Sequence, residues 1–252
     1  MNRIWIAACA AAVLTALPAQ AAKHRMPDYV NAAVADSARP ADDTALDAER
    51  KPAEMVALAK IKPGMRVMDL IPGRGYFTRI FSVAVGPSGY IYAYQPSEFD
   101  SFLKGKPAPV MAVAAAYKNV SVIHAPVNDL VAPEPLDVVW TSQNYHDLHD
   151  SFAKPADVAI INKKIFQALK PGGLYVVLDH SAEAGSGLRD TETLHRIDEA
   201  AVKQEVLAAG FKFVGRSSLL KNPADDRKLK VFDPAIRHKT DQFILIFRKP
   251  GK

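Results

Sequence analysis

Cysteine is all but missing. The single thiol in 252 residues, Cys9, lies inside an apolar stretch at the start of the chain. Everything after that stretch therefore lacks disulfides, thiol nucleophiles and sulfur ligands for a metal. A block of charge of one sign is missing too: 32 Lys and Arg stand against 27 Asp and Glu, a formal net charge of +5. The one short basic run, RKLK at 227–230, reads as a solvated loop, so no nucleic-acid partner is expected. Internal repeats and low-complexity linkers are absent, and a chain with 49% hydrophobic and 23% charged residues is neither disordered nor collagenous.

The opening stretch, MNRIWIAACAAAVLTALPAQA, has one positive charge at Arg3, an apolar run from Ile4 to Leu17 and a small-x-small site at Ala19-Gln20-Ala21. We read residues 1–21 as a secretory signal peptide. The run is shorter than the roughly 20 apolar residues of a membrane span, so no stable membrane insertion is expected once it is removed. Cys9 and Arg3 leave with it, which suits an exported protein in an oxidising compartment, the bacterial periplasm.

Residues 22–64 form an N-terminal extension that begins polar and proline-broken and ends in a predicted helix over 47–60, packing on the domain at 65–252. From Met65 onward, short apolar strands alternate with helices. Strands are predicted at Val67–Leu70, Tyr90–Tyr94, Val120–Ile123, Leu136–Thr141, Leu174–Leu178, Phe211–Val214 and Gln242–Phe247. Between them, Phe77, Ile80, Phe81, Ala84 and Val85 recur at helical spacing, as do Val158, Ile161, Ile165 and Leu169. No crossover helix separates the last two strands. The pattern predicts an α/β, Rossmann-like fold: a mostly parallel seven-stranded sheet, helices on both faces and an antiparallel last strand.

The first strand runs into DLIPGRGYFTRI, residues 69–80. A ligand of such a sheet binds where the strand order reverses, next to a turn of this kind. Thr78 stands where a dinucleotide fingerprint needs its third glycine, and Gly-Lys-Ser/Thr of a nucleotide P-loop is absent. Glycines in a strand-to-helix turn also serve backbone geometry alone, and that reading stays open.

VMDLIPGRGYFTRIFS resembles the first motif of class I S-adenosylmethionine-dependent methyltransferases. LDVVWTSQNYHDL is similar to their fourth-strand motif and FQALKPGGLYVVLDH to the lead into their fifth strand. Among them the chain resembles a group of exported methyltransferases. The resemblance implies S-adenosylmethionine as cofactor, held by Asp69, Gly73, Gly75, Tyr76 and Phe77, with Gln95 at its ribose and Asn128 at its adenine. Three departures stand out: Ile71-Pro72 replaces small residues, Gln95 replaces an acidic residue with Glu98 as its substitute, and Pro126 falls near the adenine position.

In the loop NYHDLHD, His146 reads as a general base with Tyr145 and Asp147 beside it. The alternative is that Tyr145 lines the adenine pocket and His146 caps the next segment. His180, His195 and Arg196, in DHSAEAGSGLRDTETLHRID, read as substrate-binding residues, with Asp198 as a helix cap. The spacing of these histidines and carboxylates matches no compact metal motif, so no metal is assigned. The resulting expectation is methyl transfer to a small-molecule substrate. The alternative is the same fold serving as a periplasmic ligand-binding protein or as another kind of enzyme. Export has a direct check: protein from the periplasmic fraction should begin at Ala22 on N-terminal sequencing, and a chain retaining Met1 would refute it.

Overall fold

Aromatic and β-branched runs alternate with amphipathic ones along the chain, and strands alternate with helices accordingly. In the computed structural model, which describes residues 25–154 and 156–251, the strands are β1 (Arg66–Leu70), β2 (Tyr90–Pro96), β3 (Val120–Ala125), β4 (Leu136–Ser142), β5 (Leu169–His180), β6 (Lys212–Ser217) and β7 (Gln242–Arg248). The expected signal peptide lies outside the described residues. No helix among them is long and apolar enough to cross a membrane.

The sheet order is β3-β2-β1-β4-β5-β7-β6. β1 pairs in parallel with β2 and β4, and β4 with β5, whereas β7 runs antiparallel between β5 and β6. This is the Rossmann-like, mostly parallel α/β sheet expected. The strand order reverses between β1 and β4, which opens a crevice beyond Leu70 and Ser142.

The longer helices are α1 (Asp28–Val34), α2 (Pro52–Leu58), α3 (Tyr76–Val85), α4 (Val110–Ala116), α5 (Val158–Ala168) and α6 (Glu199–Ala208). The period-two alternation of the strands sends Val67, Val138, Trp140 and Val176 to one face, where Val30, Val56, Ile80 and Phe81 of α1, α2 and α3 pack on them. Met68, Leu70, Val139, Tyr175 and Val177 go to the other face, against Ile161 and Ile165 of α5 and Val202 and Val206 of α6. Both faces are dry, which is why the strands read as nearly continuous apolar runs.

The N-terminal extension differs from expectation in two ways. A helix forms at Asp28–Val34, where Met26, Tyr29, Val30 and Ala33 supply an apolar stripe at helical spacing. The helix expected over 47–60 is broken: Asp47–Arg50 is a single turn, Lys51 is left-handed at φ 45°, and α2 starts afresh at Pro52. A residue before proline is pushed out of the right-handed helical region, so the break is written into Lys51-Pro52.

Gly73 and Gly75, with φ of 57° and 78°, make different demands. A β-carbon on Gly75 would come within 2.6 Å of the Val113 side chain of α4, whereas one on Gly73 would meet no atom within 4 Å. Gly75→Ala is therefore expected to destabilise by about 2–4 kcal/mol and Gly73→Ala by only about 1 kcal/mol, as read by urea denaturation. Equal losses would show that backbone conformation alone sets both positions.

Candidate active site

The turn after β1 is strained and buttressed. Ile71 is left-handed at φ 57°, a conformation that a β-branched residue reaches only under constraint. Its amide donates to the Tyr94 carbonyl at 2.9 Å, and its own carbonyl accepts from Asn144 Nδ2 at 2.7 Å. The strands on either side thus hold the turn in place. Helix α3 then starts at Gly75 with no side-chain cap and no acidic residue in its first turn. Asp69 engages the Thr78 amide of that first turn, and the positive dipole end ahead of that amide suits an anionic group.

Asp69 lies beneath this turn, 3% exposed, and accepts from Thr78 Oγ1 at 2.6 Å. Burial raises its pKa to about 7, opposed by the Thr78 hydrogen bond and by the Arg50 charge. Arg50 comes from the broken turn of the N-terminal extension. Its guanidinium lies 4.5 Å from the Tyr76 ring centroid and 5.2 Å from that of Phe77, and it donates to Gln143 Oε1 at 2.8 Å. Among the described residues no carboxylate pairs with it directly, and burial lowers its pKa against the attraction of Tyr76, Asp69, Asp43 and Glu49.

Arg50 borders a cleft of about 230 Å³ at the carboxyl ends of β4 and β5. Phe77 and Leu178 give it apolar walls, while His180, Arg237, His238 and Thr240 give it polar ones. His180 Nδ1 contacts Thr240 Oγ1 at 2.8 Å, and burial lowers the ring's pKa to about 3, so it faces the cleft as neutral imidazole.

Behind His180 stands a second group. Asp179, fully buried, accepts from His146 Nδ1 and from the His146 amide, both at 2.9 Å. Burial acts to lower the His146 pKa, but Asp179, aided by Asp147 and Asp150, outweighs it and raises the value to about 9. The same pairing holds Asp179 below its usual range although burial acts to raise it. His146 Nε2 lies 3.3 Å from His195 Nδ1 and 3.3 Å from Asp147 Oδ1.

Neither a protein-family model nor a curated protein matches the sequence. Solved structures do match the fold. A SAM-dependent methyltransferase from Aquifex aeolicus is 18% identical, covering 83% of this chain and 98% of its own, with a TM-score of 0.54. The N-methyltransferase NodS from Bradyrhizobium japonicum is 14% identical over 83% of this chain and 99% of its own, with a TM-score of 0.55. The chain has the class I methyltransferase fold. The [4+2]-cyclase SpnF shares it at 19% identity, 80% and 82% coverage and a TM-score of 0.56, so the fold does not by itself settle the chemistry.

Within this methyltransferase fold the expected residues separate into groups. Asp69, Gly73, Gly75, Tyr76 and Phe77 do meet at the switch point. Gln95 is the last residue but one of β2, buried, and its side-chain amide makes a long 3.5 Å contact to the Pro96 carbonyl. Glu98, its possible substitute, is engaged by the Val127 amide. Asn128 follows β3 and accepts from the Asp157 amide at 2.8 Å, tying that loop to the start of α5.

Two residues are placed differently from the reading given to them. Tyr145 is buried in the core, its hydroxyl donating to Glu205 and accepting from Asn162, and it does not line the cleft. Arg196 is also fully buried, in a two-pronged pair with Asp225 at 2.9 and 3.1 Å, and donates to the Ser181 and Leu229 carbonyls. It pins the segment before β7 and has no face toward a substrate. Asp198 caps α6 by accepting from the Ala200 amide at 2.9 Å, the role expected of it.

Arg50, Arg237 and His238 went unassigned in the sequence. Only the Lys51-Pro52 break hinted that Arg50 would leave a helical surface.

A carboxyl group whose folded pKa is raised from 3.8 to about 7 favours the folded state while protonated. That contribution is complete below about pH 4 and disappears as pH rises through about 7. Asp69→Asn should therefore gain on the parent protein by about 1–3 kcal/mol between pH 5 and pH 8, measured by chemical denaturation across that range. A difference independent of pH would mean that Asp69 is already ionised at pH 5.

Proposed function

We propose that this chain is a methyltransferase using S-adenosylmethionine, with the cofactor's amino acid end at the turn from Asp69 to Phe77 and a small acceptor in the adjoining cleft. One observation carries the reading: the start of α3, the reversal of strand order and the Arg50-bordered cleft lie side by side. The cofactor would supply an electrophilic methyl group, which leaves the protein to orient the acceptor and take up any proton it releases.

The residues suit that group. Gly73 is exposed and has open space where a β-carbon would be, so a ligand can approach the backbone. Asp69, in its ionised form, provides negative charge below the turn for an ammonium, which would itself favour that form. Gln95 offers an uncharged amide to ribose hydroxyls, with bonds roughly half as strong as those of a carboxylate. Asn128 lies on the adenine side.

The cleft favours a small acceptor with an apolar body and an acidic or hydrogen-bonding end, met by Arg50, Arg237 and neutral His180. His146 and Asp147 stand one side chain behind the wall, where His146 lies 6.3 Å, ring centre to ring centre, from His180. Tyr145 has no part in this reading.

Calorimetric titration with S-adenosylmethionine and S-adenosylhomocysteine tests it. Both should bind one to one, and Gly73→Leu, which crowds the turn without touching the core, should weaken binding by about tenfold or more, at least 1.4 kcal/mol. Silence at millimolar ligand would overturn the proposal and leave the ligand-binding alternative.

A further inference from the structure

We infer that His146, Asp147 and His195 form a binding site for a divalent transition ion of the zinc type. The three residues come from two segments 49 positions apart, the one-turn 3-10 helix His146–His149 and the residue that ends the single-turn helix Thr191–Leu194. This is why their sequence spacing matches no compact motif.

The geometry is the first argument. His146 Nε2, His195 Nδ1 and Asp147 Oδ1 form a triangle with edges of 3.3, 3.3 and 3.8 Å. An ion about 2.1 Å from all three corners, within the about 2.0–2.2 Å of zinc bonds to imidazole nitrogen and carboxylate oxygen, would stand about 0.6 Å above the centre of the triangle. The edges suit one face of a distorted tetrahedron, two of them close to its about 3.4 Å and the third, at 3.8 Å, wider, whereas adjacent ligands of an octahedral ion would lie only about 3.0 Å apart. A shared proton accounts for them less well, because it draws two atoms to about 2.7–2.9 Å and leaves the third unserved.

The surroundings are the second argument. Asp179 accepts the Nδ1 proton of His146 at 2.9 Å and is itself held by the His146 and His180 amides, at 2.9 and 2.7 Å. A ligating histidine typically has its remote nitrogen fixed in this way, so that the lone pair freed when the ion displaces the Nε2 proton points at the ion. Asp147 and Asp179 together bring two negative charges, enough to neutralise a divalent ion in a poorly solvated place. His195 is held left-handed at φ 53°, a strained setting for a non-glycine residue, and its ring packs 5.0 Å from Phe232. Strain of this kind persists where the fold over-determines a side chain's aim.

Three protein ligands leave one tetrahedral position open, as in sites where zinc binds water or substrate. His180 and Phe232, the neighbours of His146 and His195, both line the cleft, so the ion would stand just behind its wall. The inference does not depend on methyl transfer.

The test uses the protein purified without a polyhistidine tag, stripped with a chelator and titrated with Zn²⁺ and with Co²⁺ as a spectroscopic substitute. One ion should bind per chain, Co²⁺ should give the intense visible bands of tetrahedral coordination, and Zn²⁺ should raise the melting temperature. His195→Ala and Asp147→Asn, both at partly exposed positions, should each weaken binding by about 100-fold, and Asp179→Asn by about 10- to 100-fold. Melting curves without metal establish that the first two variants fold. No binding by the parent protein, or affinity unchanged in both folded variants, would overturn the site.

Discussion

Asp179 carries a charge at a place with no access to water, the carboxyl end of β5, where it pairs in register with Phe243 of β7. Such a charge is tolerated only if donors surround it. They arrive from two directions: the His180 amide on its own strand, and the amide and ring of His146 on the loop after β4. Satisfying one carboxylate therefore fixes where that loop runs and how the His146 ring is turned. His180 and the neighbouring cleft wall follow from the same constraint, as does the meeting of His146 with His195.

A second constraint acts from the N-terminal side. Arg39, buried, pairs with Asp47, and Asp47 accepts from Tyr76 Oη at 2.6 Å in the first turn of α3. The extension is thus bolted to the turn it covers, and Arg50 is delivered onto the Tyr76 and Phe77 rings. An arginine stacked on aromatic faces and short of carboxylate partners keeps most of its donors for a ligand. The extension, which contributes to the same apolar cluster as α3, is as much a wall of the site as the strand ends are.

Much of this was legible beforehand. Apolar runs such as Tyr90–Tyr94 and Leu136–Thr141 read as buried strands because both sheet faces are covered, and Gly86-Pro87 marks the end of α3 without ambiguity. The turn from Asp69 to Gly75 could be placed because a strand, two glycines and an amphipathic helix leave few geometries. Less legible were residues whose chemistry depends on partners far along the chain. Arg196 looks like a substrate ligand until Asp225 meets it, and Tyr145 looks catalytic until Glu205 and Asn162 claim its hydroxyl in the core. Arg50 gave no signal except the proline after Lys51.

Local pattern determined the elements, their alternation and the switch-point turn, since hydrophobic period, glycine freedom and proline restriction act over a few residues. Tertiary structure decided which polar side chains face one another. Whether His146 is a base, a cap or a ligand is a matter of its distance to Asp179 and to His195, 33 and 49 positions away. No local preference encodes such distances; they appear only once β4 and β5 lie side by side and the segment after β5 folds back over their ends.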